Sequence, residues 1–86
     1  MEEQVPHELS SAAHRAAGLK QVLKAIQAGR AVKVFMALDA QEHLQEQLMQ
    51  AAQAHGVPLE TVPTMKELGR LSGIQVPSAA AAVLSG

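Results

Sequence analysis

Helical and strand-like periods alternate along most of this 86-residue chain, and the alternation predicts an α/β domain with helices packed on both faces of a sheet. Three observations carry the prediction. Leu19, Val22, Leu23 and Ile26 recur at the i, i+3, i+4, i+7 spacing of one buried helical stripe. Val32 to Leu38 is an almost continuous apolar run, as in a strand covered on both faces. Two polar residues, Asp39 and Thr64, each precede a Glu by three positions just ahead of a helical pattern, the arrangement of a capping box.

Taken in order, Pro6 to Ala12 could form a short first helix, and Ala13 to Ala17 is weak both as helix and as strand. Leu19 to Ala28 reads as a helix, opened by Gly18 and stopped by Gly29 at the left-handed position past its end. Lys20, Gln21, Lys24 and Gln27 fall on its remaining faces. Val32 to Leu38 is the central strand. Asp39 then reads as the N-cap of a helix with Glu42 as its box partner, burying Leu44, Leu48, Ala51 and Ala52, and His55-Gly56 with Val57-Pro58 ends it. Leu59 to Val62 is a short strand. Thr64 opens a last helix that buries Met65, Leu68 and Leu71 and stops at Gly73. Ile74 to Ser78, with Pro77, is a loop, and Ala79 to Leu84 is a small-residue strand suited to close packing. With no internal repeat or linker, residues 1–86 are expected to form a single domain.

Composition removes several function classes. Cysteine is absent, which excludes disulfides and thiol nucleophiles. A secreted domain this small usually needs such staples, so a cytoplasmic protein is expected. The opening Met1-Glu2-Glu3-Gln4 lacks the pattern of a secretory signal, and the longest apolar run, Ala79 to Leu84, is too short to span a bilayer. His7, His14, His43 and His55 are scattered without metal-ligand spacing, so no metal is expected. Ser10, Ser11, Ser72, Ser78 and Ser85 have no nucleophile-elbow context, and the glycines form no phosphate loop. An enzyme is not expected, nor is a cofactor.

The formal net charge is −1, but it is unevenly spread: Arg15, Lys20, Lys24, Arg30 and Lys33 lie in a window that contains no Asp or Glu. An ordinary solvated helix face can look like this. The more pointed feature is Gly18-Leu19-Lys20-Gln21-Val22-Leu23-Lys24. A helix N-terminus carries about half a positive charge and unpaired N–H groups, so it can receive a phosphate. Lys20 and Gln21 project from the first turn, where their donors could reach base edges, and Lys24 lies one turn on.

This segment matches the pattern Gly-x-[Asn/Lys]-[Glu/Gln]-x-x-Lys. Together with Ala37-Leu38-Asp39, the run Met65 to Val76 and the Ala-rich Ala79 to Val83, the chain resembles the ribosomal proteins of the L-seven-Ae / L-thirty-e family, whose bacterial YbxF/YlxQ-type members are kink-turn binders. The resemblance implies a three-layer α/β/α sandwich around a mixed four-stranded sheet. It implies a partner of kink-turn RNA, ribosomal or other non-coding, in which tandem sheared G·A pairs support a sharp bend; a monomer is expected. Residues expected at the RNA are Gly18, Leu19, Lys20, Gln21 and Lys24, with the loop Ile74, Gln75, Val76 and Pro77 against bulged nucleotides. Leu19, where many relatives carry Thr, and Pro77 depart from the family pattern. The alternative is a protein–protein adaptor that keeps the fold without specific RNA binding.

Overall fold

A computed structural model describes residues 14–74 and 76–85. The elements run β1 (Arg15–Ala17), α1 (Leu19–Gln27), β2 (Ala31–Ala37), α2 (Glu42–Ala54), β3 (Leu59–Val62), α3 (Met65–Leu71) and β4 (Ala80–Leu84). The expected helix at Pro6 to Ala12, and Gln75 of the loop, lie outside the described residues.

The strands form one mixed sheet in the order β1-β4-β2-β3. β2 and β3 are parallel, joined by the crossover helix α2, while β4 is antiparallel to both β2 and β1. Because strand side chains alternate between faces, the sheet sorts its apolar residues into two layers. Val34, Met36, Ala80 and Ala82 face α1 and α2 and meet Val22, Ile26 and Leu48. Phe35, Ala37 and Ala81 face the other way and meet Leu68 and Leu71 of α3. The result is the expected α/β/α sandwich. Burying side chains of this size contributes about 1.5–3 kcal/mol each, and Phe35, the one aromatic residue, is fully buried at the centre of the α3 layer.

Two details differ from the sequence reading. β1, which the polar stretch before Gly18 concealed, exists as three residues held by pairing Arg15, Ala16 and Ala17 with Val83, Ala82 and Ala81. Second, the ladder between β2 and β4 shifts register between Ala31 and Lys33. An extra residue in a strand reverses the facing of what precedes it, so Ala31 packs with the α1 layer whereas Lys33 lies over the Phe35 ring at 5.6 Å on the opposite face.

Asp39 needs a correction. It does not cap α2, whose first residue is Glu42 and whose N-cap, Gln41, makes no side-chain cap bond. The Asp39 carboxylate instead accepts the backbone N–H of Met65 at 2.7 Å, capping α3 from across the sheet end. The turn it leaves is held by Gln45, whose side-chain amide donates to the carbonyls of Leu38 and Ala40 at 3.0 and 2.7 Å. Thr64 caps α3 as expected, accepting from Glu67 N–H at 3.1 Å, but the Glu67 carboxylate pairs with Arg70 rather than closing the box.

Candidate nucleic-acid interface

Helix α1 starts abruptly because Gly18 adopts φ 92° and ψ 143°, a backbone conformation strained for any L side chain. Its carbonyl accepts the first helical bond, from Val22 N–H at 3.0 Å. Gly18 offers no side-chain cap, and the first turn holds no acid. The N–H groups that every helix leaves without internal acceptors therefore keep their positive end uncompensated here. α3, by contrast, has Thr64, Asp39 and Glu67 at its start.

Lys20 and Gln21 are exposed on this first turn, and Lys24 is exposed one turn later. Leu19 is half-buried and leans on the core beneath α1, so it shapes the helix start from below. The opposite side of α1 is the stripe read from the sequence, with Val22, Ala25 and Ile26 buried.

The second expected segment arrives beside the first. The loop from Ile74 to Ser78 leaves α3 and enters β4 next to Gly18. Ser78, 4% exposed, is the joint: its hydroxyl accepts the Gly18 N–H at 3.1 Å and donates to the Ala80 carbonyl at 2.6 Å. The Ala80 carbonyl also takes the Gly18 N–H at 2.9 Å, and the Ser78 N–H donates to Met65 at 3.0 Å. The two segments, about 60 residues apart in sequence, are thus hydrogen-bonded neighbours.

Within the loop Val76 is 61% exposed, Pro77 is exposed and Ile74 is half-buried. With Thr64, Lys66, Gly73 and the Glu67–Arg70 ion pair of α3 they rim an open groove of about 900 Å³. Gly69 allows the loop to lie this close, since a Cβ there would run into the Val76 carbonyl and come within 3.3 Å of the Pro77 Cα. Sequence reasoning assigned no role to Gly69 or Ser78. A glycine inside an otherwise good helix pattern was the available signal for the first; nothing local marked Ser78.

The basic window divides in the structure. Arg15 donates to the Leu71 carbonyl at 3.1 Å, tying β1 to the end of α3. Lys33 pairs with Glu60 across β2 and β3 at 2.7 Å. Both serve the fold on the α3 side of the sheet. Lys20, Lys24 and Arg30 stay exposed. Among the described residues, no group of three His, Asp or Glu side chains converges as metal ligands would, and no helix is long and apolar enough to cross a membrane.

Known proteins share both the sequence and the architecture. The sequence model of the ribosomal protein L7Ae/L30e/S12e/Gadd45 family matches residues 3–86. An RNA-binding protein of Caldanaerobacter subterraneus is 40% identical over 72 residues, spanning 84% of this chain and 88% of that one. The RNA-binding protein YbxF of Geobacillus stearothermophilus is 40% identical over 67 residues, 78% of this chain and 82% of its own. The large ribosomal subunit protein eL8 of Halobacterium salinarum is 39% identical over 69 residues, 79% of this chain and 58% of the longer protein. Among solved structures, the Giardia lamblia 15.5kD RNA binding protein superposes with a TM-score of 0.78 at 26% identity, covering 92% of this chain and 67% of that one. These relatives are RNA-binding and ribosomal proteins, not enzymes.

Proposed function

The chain belongs to the ribosomal protein L7Ae/L30e/S12e/Gadd45 family, and from that premise we propose that it is a cytoplasmic, monomeric RNA-binding protein whose ligand is a kink-turn in ribosomal or other non-coding RNA. The observation that carries the reading is the joint at Ser78, which sets an uncapped, acid-free helix start beside an exposed apolar loop. A bent RNA offers both kinds of surface at once: phosphates and guanine edges in the opened groove, and unstacked bases at the bulge. An A-form major groove is ordinarily too narrow for side chains, and the kink removes that obstacle locally.

In this reading the Gly18 backbone lets the RNA come close to the α1 N-terminus. Lys20 and Gln21 address the guanines of the sheared G·A pairs, and Lys24 neutralises a backbone phosphate. Leu19 supports that turn from the core side. Ile74, Val76 and Pro77, with Gln75 between them in sequence, press on the bulged nucleotides. Since the two surfaces are fixed to one another, they fit the bent conformer and not the extended one. Binding is then a population shift toward the bend.

The test is a titration of fluorescently labelled kink-turn RNA with wild-type protein and with the double variant Lys20→Ala/Gln21→Ala. A control RNA has its G·A pairs replaced by Watson–Crick pairs. Each base contact is worth about 1–3 kcal/mol, so the double variant should bind at least tenfold more weakly. The control RNA should bind weakly to both proteins. Equal, weak binding of the two RNAs to wild-type protein would reduce the helix start to a nonspecific cationic patch and would favour the adaptor reading.

A further inference from the structure

Lys20, Lys24 and Arg30 take part in no ion pair among the described residues, unlike Lys33 and Arg70. The first two already have roles in the reading above; Arg30 has none. Lys24 and Arg30 flank a separate basin of about 300 Å³ where α1 meets β1 and β4, lined also by Gln21, Ala16, Ala25, Ala28 and Leu84. Among the described residues no carboxylate lines it. Its alanines leave room where longer side chains would fill the space.

Arg30 is well placed to serve this basin. Its N–H donates to the Ala25 carbonyl at 2.9 Å, and its carbonyl accepts from Ser85 N–H at 2.8 Å, so the side chain departs from a fixed anchor. The competing role for an arginine just past a helix is to cover the last carbonyls. Here the carbonyls of Ala25 and Ile26 are taken by the N–H groups of Arg30 and Gly29, and the Arg30 guanidinium makes no hydrogen bond to them. The helix end itself is unfavourable for an anion, but it carries only about half a negative charge against two full cations.

We infer that the basin between Lys24 and Arg30 is a second backbone-phosphate subsite, so that the RNA strand leaving the α1 N-terminus continues along the helix to its far end. This rests on the RNA-binding reading above. The nine residues of α1 span roughly 13 Å along the helix axis, long enough for more than one backbone phosphate. A planar guanidinium suits a phosphate through paired N–H donors, while Lys24 acts as a point charge on the other side. A contact of this kind adds affinity and salt dependence without adding sequence preference.

The inference is tested by measuring Kd for the kink-turn and control RNAs over a series of salt concentrations, with wild-type protein, Arg30→Gln and Ala28→Glu. Arg30→Gln should weaken kink-turn binding about three- to tenfold at low salt and lower the slope of log K against log salt by about 0.7–0.9, with the ratio between the two RNAs unchanged. Ala28→Glu, at an exposed position, puts a carboxylate into the basin and should weaken binding at least as much. The thermal melt of Arg30→Gln should match wild type, and that of Ala28→Glu should fall by only a few degrees, since a carboxylate at a helix C-terminus opposes the macrodipole. Unchanged affinity and slope in both variants would overturn the subsite and leave the kink-turn reading standing. Wild-type protein that fails to distinguish the two RNAs would overturn both.

Discussion

Ser78 carries more of the site than any residue singled out for contact with a ligand. Its hydroxyl bonds to both Gly18 and Ala80 from a buried position, and so sets the distance between the α1 start and the loop. Ser78→Ala should cost about 1–2 kcal/mol, since a net hydrogen bond is worth about 0.5–1.5 kcal/mol, and Tm should fall by roughly 4–8 °C for each kcal/mol. RNA affinity measured well below Tm should also fall, because the two contact surfaces lose their common anchor. A lower Tm with unchanged affinity would confine Ser78 to stability. Residues of this kind are hard to find in a sequence. Ser78 sits in a loop, and its partners are 60 positions away or on the other side of a turn. Asp39 misleads for the same reason: three residues before a Glu it looks like a local cap, yet the N–H it binds belongs to Met65, 26 positions on.

Among the elements, those built from local chemistry are legible in advance. The stripe of α1, its stop at Gly29, the Thr64 cap of α3 and the buried run of β2 each follow from spacing or from a side chain bonding its own neighbourhood. β1 is not legible, because three residues hold no period and Arg15–Ala17 becomes a strand only through its pairing with β4. β4 is intermediate. Its alanines mark it as closely packed but do not say that it runs between β1 and β2 with a helical layer against each face. That position makes a demand on size. Ala81 is fully buried against Phe35, Leu68 and Leu71, so Ala81→Leu should destabilise the fold by about 1–3 kcal/mol through overpacking, read as a lower denaturant midpoint. A midpoint equal to wild type would mean that α3 can move away from the sheet at no cost. The α1 start was legible as a motif, whereas its setting beside the loop depends on how β4 threads the sheet.

At the scale of the whole molecule, net charge is a poor guide to what the surface attracts. The total of −1 averages over a helix without acids and an opposite side that holds Glu60 and Glu67 in ion pairs. Two of the five cations in the basic window are spent on the fold, which composition cannot reveal. What remains is a short row of exposed cations on α1 beside an exposed apolar loop, the arrangement on which the kink-turn proposal rests. The most direct test of that claim is energy transfer between dyes on the two arms of a kink-turn RNA, titrated with protein at low divalent salt, where the RNA alone stays extended. Transfer should rise to a plateau at one protein per RNA, and Lys20→Ala/Gln21→Ala should not produce the rise at the same concentrations. Wild-type protein that saturates the RNA without raising transfer, or a double variant that raises it equally, would contradict the account.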